Sequence, residues 1–252
     1  MRRPALSLLA AAMIAAPPAI AMVGGAQVIS DTASRPEVMF VGSHGNFCTG
    51  VAIAADLVLT SAHCMRAGSQ YKRAEWDANR QPVFRDIRTV ARHPQFNPNV
   101  HRAGPDVALI KLADRLAVAP AQLASTRPRI APGERFTVFG YGVAANGDGA
   151  TAATLRSATL TVTGRPGSLQ IRLVDPAGRG ERAGLGACAG DSGGPVYQDV
   201  GGRLEVVGVV SWSTGPALAD GCGGLTGVTP IELYRKWIVE QAARMGSALS
   251  GH

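Results

Sequence analysis

Apolar and β-branched residues gather in short runs separated by glycine, proline and polar residues, and only once recur at every third and fourth position. Four such runs, residues 51–53, 57–60, 83–90 and 107–112, predict strands of a first half. Five more, 136–139, 158–162, 169–174, 194–197 and 204–212, predict a second half. Between them residues 117–133 are rich in Ala and Pro, as expected of an inter-domain connector. The one helical pattern runs from Ile231 to Met245, where Ile231, Tyr234, Trp237, Ile238 and Ala242 share a face that should pack on the domain surface. Residues 143–153, mostly Ala and Gly, are expected to form a mobile surface loop.

Composition narrows the class. With 252 residues, 46% of them hydrophobic and 17% charged, the chain can bury a substantial core and is not disordered. Its 31 glycines and 16 prolines suit many short strands joined by tight turns, so the body is expected to be all-β. Met1-Arg2-Arg3, an apolar run over residues 4–16 and the small-residue stretch Ala19-Ile20-Ala21 have the layout of a secretory signal peptide spanning residues 1–21. That run falls short of the ~20 apolar residues needed to span a bilayer. Export to the periplasm or the medium, with cleavage near Ala21 and no stable membrane association, is the expectation.

Four cysteines, Cys48, Cys64, Cys188 and Cys222, suit an exported protein with two disulfides, and by themselves allow three pairings. None stands in a C-x-x-C spacing, which argues against a zinc or thioredoxin-type site. Loss of Arg2 and Arg3 with the leader takes the net charge from +7 to +5, spread along the chain without basic runs. Nucleic acid is therefore not an expected partner. Glu75 and Asp77 lie among Lys72, Arg73 and Arg80, a poor setting for a hard cation that wants several oxygen ligands, so no metal is expected there.

Three segments carry candidate chemistry. Leu59-Thr60-Ser61-Ala62-His63-Cys64 ends an apolar run on a histidine, and Asp106 stands at the mouth of the apolar run 107–112. Cys188-Ala189-Gly190-Asp191-Ser192-Gly193-Gly194-Pro195 sets a serine among glycines, which lets the backbone approach a reacting carbonyl closely. Singly these read as a core histidine, a strand-start aspartate and a glycine-rich turn. Jointly, in the order His, Asp, Ser, they outweigh those readings. Gly190-Asp191-Ser192-Gly193-Gly194 also satisfies the G-x-S-x-G of α/β-hydrolase esterases. That class needs its Asp and His after the serine, and the only histidine after Ser192 is His252.

These segments resemble the His, Asp and Ser motifs of the trypsin/chymotrypsin family, and the resemblance covers essentially the whole chain after the leader. The family implies two perpendicular six-stranded antiparallel β-barrels with a C-terminal α-helix: a first barrel over 22–117 carrying His63 and Asp106, a connector over 118–132, a second barrel over 133–229 carrying Ser192, and a helix and tail over 230–252. It implies a monomeric serine endopeptidase acting on proteins or peptides without a cofactor, its oxyanion hole formed by the amides of Gly190 and Ser192. The same scaffold also occurs as catalytically inactive binding proteins, which usually lack a member of the triad. The resemblance pairs Cys48 with Cys64 and Cys188 with Cys222. It makes Ser211-Trp212-Ser213 the substrate-pairing strand, Gly186 the pocket floor where trypsins have an aspartate, and Gly227 a wall that leaves room. A neutral apolar side chain before the scissile bond is then expected rather than Lys or Arg, with Asp220 nearby as the one acid able to alter this. Finally, Met22-Val23-Gly24-Gly25 resembles the family's new N-terminus, whose α-ammonium would pair with Asp191.

Overall fold

The structure is a computed structural model that describes residues 22–77, 79–163 and 169–249, so the predicted leader over 1–21 lies outside the described residues. Among those residues the chain forms β1 (Gln27–Val28), β2 (Glu37–Gly42), β3 (Phe47–Ala54), β4 (Leu57–Thr60), β5 (Tyr71–Trp76), β6 (Pro82–Arg92) and β7 (Ala108–Leu112). Then follow β8 (Gln122–Leu123), β9 (Arg135–Gly140), β10 (Arg156–Val162), β11 (Ile171–Val174), β12 (Pro195–Val200), β13 (Arg203–Ser213), β14 (Thr226–Pro230) and the helix α1 (Arg235–Arg244).

Two antiparallel barrels result. In the first, β2, β3, β4, β7, β6 and β5 close in that order. In the second, β9, β10, β11, β14, β13 and β12 close as β12 pairs back onto β9. Strands β4 and β7 are buried along their whole lengths, which explains their unbroken apolar runs. Lys111 is the exception in β7, and its ammonium is satisfied by Asp56 (3.0 Å), the Ser247 hydroxyl (2.7 Å) and the Gly246 carbonyl (3.1 Å).

The ends of the chain cross over. The N-terminal segment, grouped with the first barrel by sequence order, buries Met22 and Ala26 in the second barrel's core with Val138, Leu160 and Val228. Strand β1 pairs with β10 there, and the connector supplies β8, parallel to β13. At the other end α1 buries Ile238 and Ala242 against Ile53, Leu57 and Leu109 of the first barrel. Full burial of a side chain the size of Met22 or Ile238 is worth ~1.5–3 kcal/mol, so each end clamps the barrel it did not come from. The predicted helix from 231 begins instead with a 3-10 turn over Ile231–Tyr234, directly after Pro230.

The barrels meet over a buried carboxylate. Glu37 of β2 accepts two bonds from Arg35 (2.9 and 3.0 Å) and one from the Tyr197 hydroxyl of β12 (2.8 Å). The Arg35 guanidinium lies 4.4 Å over the ring of Phe139 in β9. A charge so fully bonded is tolerated inside, and it fixes how the barrels dock. Disulfides join Cys48 to Cys64 and Cys188 to Cys222.

Candidate active site

His63 sits in a 3-10 turn (Ala62–Cys64) just after β4, held by the Cys48–Cys64 bond and by the Ser61 hydroxyl donating to the Val210 carbonyl of β13 (2.6 Å). Asp106, completely buried, faces it from the approach to β7. One Asp106 oxygen accepts the His63 main-chain N–H (2.8 Å), and the other lies 2.7 Å from His63 Nδ1 and accepts the Ser211 hydroxyl (2.6 Å). Three donors on one buried carboxylate fix the imidazole plane and satisfy the negative charge. Ser211 therefore turns its side chain to Asp106.

Ser192 belongs to the turn between Cys188 and β12. The Asp191 N–H bonds the Cys188 carbonyl (3.0 Å) and the Gly194 N–H the Asp191 carbonyl (2.9 Å), coiling the chain tightly around the half-buried serine. Gly190 (φ +93°) and Gly193 (φ +80°) hold backbone conformations that suit glycine, and neither has room for a side chain. A Cβ on Gly190 would enter the Phe47 ring, and one on Gly193 would strike the Thr60 hydroxyl and the Thr49 carbonyl. The Gly190 and Ser192 amides donate to no acceptor among the described residues, and neither does the Ser192 hydroxyl.

The two halves meet at one disulfide and one threonine. Cys64 Sγ lies 3.9 Å from His63 Nε2 and 3.6 Å from the Ser192 carbonyl oxygen, so imidazole and serine flank the same sulfur. Both sulfurs beside His63 are held in the disulfide, leaving no thiolate there for a metal. Thr49, buried on β3, donates its N–H to the Ser192 carbonyl (2.9 Å) and its hydroxyl to the Gly190 carbonyl (2.8 Å), and accepts the Tyr141 N–H (2.9 Å). Nothing in the sequence around Cys48 signals this role.

Asp191 points away from the serine into the second barrel. Its carboxylate is wholly buried and accepts the N–H groups of Gly142 and Cys188, each at 2.8 Å. Burial pushes its pKa up to about 7, against the opposing pull of those amides and of the Arg156 guanidinium. Gly140 and Gly142 give it space, since a Cβ on either would collide with the carboxyl group. The Gly140-Tyr141-Gly142 pair of glycines was the available sequence signal for this chamber. Met22 is fully buried, and Val23 makes an antiparallel bridge with Gly186. Arg156, also buried, bonds the carbonyls of Gly142 (3.0 Å), Thr154 (2.8 Å) and Thr151 (2.7 Å). The loop expected to be mobile is thus anchored at both ends, with residues 145–150 exposed between them.

The specificity wall differs from the sequence expectation. Gly227 does not open space in the pocket: a Cβ there would fall inside the Trp212 indole, so the ring already fills that side. Side chains alternate across a strand, and the residue of β14 paired with Ser213 is Thr226. Its hydroxyl accepts the Ala187 N–H (3.0 Å) and would lie 3.5 Å from a Cβ on Gly186, whose other neighbour would be Gly223 at 3.2 Å. Gly186 is buried, and no charged side chain is among these neighbours. The Ser213 hydroxyl spans to the Gly221 carbonyl (3.3 Å), and Asp220 is exposed on the loop after the 3-10 turn Pro216–Leu218. The acids of the β5–β6 hairpin are committed elsewhere, Glu75 to Arg73 and Arg85 and Asp77 to the amides of Asn79 and Gln81.

The family profile "Trypsin" matches residues 23–238. A vitellin-degrading protease of Bombyx mori is 28% identical over 90% of this chain and 87% of its own length. Trypsin alpha-4 of Lucilia cuprina is 30% identical over 88% of both chains. A trypsin-like protease of Streptomyces glaucescens is 28% identical over 84% of this chain and 81% of its own. The chain belongs to the trypsin family of serine-type endopeptidases.

Proposed function

We propose that the chain acts as a secreted endopeptidase through a triad of Ser192, His63 and Asp106. Ser192 Oγ attacks the scissile carbonyl as His63 Nε2 takes its proton, giving a tetrahedral intermediate whose oxyanion is held by the Gly190 and Ser192 amides. His63 then donates that proton to the leaving amine, the acyl-enzyme forms, and water repeats the sequence to release the acid. Asp106 keeps Nδ1 protonated and stabilises the imidazolium. The observation that carries this reading is the buried Asp106 holding His63 at Nδ1 (2.7 Å) and at the main chain (2.8 Å) beside a serine between positive-φ glycines. Labelling with a fluorophosphonate tests it: the processed protein should react at Ser192. A folded protein that neither labels nor cleaves a peptide library would instead be a binding protein on this scaffold.

Two results follow for the same site. The uncharged surroundings of Gly186, narrowed by Thr226, should favour a small to medium apolar residue before the scissile bond. In matched substrates kcat/KM after Ala, Val or Leu should exceed that after Arg by at least about tenfold, since these neighbours offer no carboxylate to a cation. Faster cleavage after Arg would show that Asp220 reaches the pocket. Thr49→Val should lower kcat by about 10- to 100-fold with KM little changed, because the Gly190 carbonyl and the Tyr141 N–H lose a buried partner while the substrate pocket is untouched. Thr49→Ser restores the hydroxyl and should recover turnover to within about threefold. An equal loss in both variants would assign Thr49 to packing alone.

A further inference from the structure

Beside His63, a cavity of about 500 Å³ opens between the histidine turn and the segment leading out of β6. Ala62, Ala67, Phe96 and Pro98 give it apolar walls, and Arg66 and Arg92 stand at its edges. A second hollow shares Arg92, Phe96 and Pro98 and adds Val90, His93 and Pro94, so the space continues along the end of β6 and the segment after it. No carboxylate is among the described residues lining either one. Neither Arg66 nor Arg92 forms an ion pair with a described residue, whereas Arg73 and Arg85 do, with Glu75, and Lys72 does, with Asp86. Asp106 lies behind the imidazole with its oxygens committed to His63 and Ser211. Among the described residues lining the groove the other histidine is His93, pushed down in pKa by burial and edge-on to Tyr234 and Trp237, so it adds no positive charge near neutrality.

We infer that this groove selects an acidic side chain, Asp or Glu, within two residues of the scissile bond, with Arg66 and Arg92 as the specificity-determining pair. The inference rests on His63 and Ser192 being the catalytic residues, because only then does the groove border the bond that is cut. Guanidinium groups suit carboxylates, which they engage through parallel N–H donors. Apolar walls on one side keep part of that interaction out of bulk water and strengthen it relative to an open surface pair. A Glu methylene stem lies on Phe96 and Pro98 while its carboxylate reaches the arginines, as amphipathic side chains do at such rims. The pair differs in kind from the uncharged surroundings of Gly186, so the enzyme reads two properties of one peptide: a small apolar residue and a nearby acid.

The test uses the processed protein and peptides blocked at both ends, so that the varied side chain is the only carboxylate. Glu and its neutral isostere Gln are compared at each of the two positions on either side of the scissile bond. At one of these positions kcat/KM should favour Glu by about tenfold at low salt. The ratio should fall toward one as ionic strength rises past a few tenths molar. In the exposed double variant R66Q/R92Q the ratio should drop to near one, and in R66K/R92K it should stay above one because the charge is kept. A ratio at or below one at all four positions, or one that survives R66Q/R92Q, overturns the inference while leaving the peptidase reading intact. Absence of both cleavage and fluorophosphonate labelling removes the peptidase reading itself, and this preference with it.

Discussion

Ser192→Ala should abolish peptide hydrolysis, with kcat falling by about 10⁴- to 10⁶-fold and the melting temperature nearly unchanged. Ser192 is half-buried and its hydroxyl makes no bond with a described residue, so its removal leaves no orphaned partner and no large cavity. What disappears is the proposed nucleophile. His63→Ala should cost a similar factor, and the double variant little more than either single one, because nucleophile and base act as a unit. The residual rate then measures the oxyanion hole and substrate binding alone. Turnover within tenfold of wild type in either single variant would place the chemistry elsewhere in the cleft.

The parts legible in the sequence were those where one physical demand dominates. Residues 57–60 read as a strand because Leu57–Thr60 is buried on both faces, and 107–112 likewise, with the predicted first residue, Val107, just outside β7. Strands β2 and β5 escaped notice for different reasons. In β5 the sequence Tyr71-Lys-Arg-Ala-Glu-Trp hides a barrel strand under charges, since Arg73 lies buried against Glu75 and Asp114. In β2 the strand opens on Glu37, a charge buried between Arg35 and the hydroxyl of Tyr197, 160 residues away. The contacts to Asp114 and Tyr197 leave no local trace. β1 and β8 have two residues each and exist only because a neighbouring strand offers an edge.

The site shows the same division. His63, Asp106 and the glycines around Ser192 stand out because the proposed chemistry and the tight turns restrict residue type. Thr49, Thr226 and Arg156 do not, since each acts through a contact with residues distant in sequence: Gly190, Ala187 and the Gly142 carbonyl. The Gly227 expectation failed on strand parity. A shift of one residue along β14 exchanges the face toward the pocket with the face under Trp212, and only the pairing Ser213↔Thr226 fixes which is which.

An extension of one residue before Met22 should leave the triad in place and remove most of the activity. Asp191 is wholly buried, and its partners in the fold are two main-chain amides and the more distant Arg156. Burial lifts its pKa from 3.8 to about 7, so the folded chain holds a proton there that the unfolded chain has already released. Between those values the folded state binds more protons, and its stability therefore falls as pH rises from about 4 to 7. Above pH 7 both states are ionised and the accumulated cost is about 4 kcal/mol. A free α-ammonium at Met22, delivered where the Met22 side chain is already buried beside Val138 and Ala187, would replace that cost with an ion pair. Asp191 is next to Ser192 and one residue from Gly190, so the same pairing would order the oxyanion hole. The comparison is between protein beginning at Met22 and protein carrying one added residue. At pH 8 the extended form should be at least about 100-fold less active. It should also melt lower, with the gap between the two forms closing as pH is brought down toward 4 and Asp191 takes up its proton. In Asp191→Asn the gap should vanish at every pH, since no carboxylate remains to be neutralised. Equal activity of the two forms, or a melting gap independent of pH, would rule out the N-terminus as the partner of Asp191.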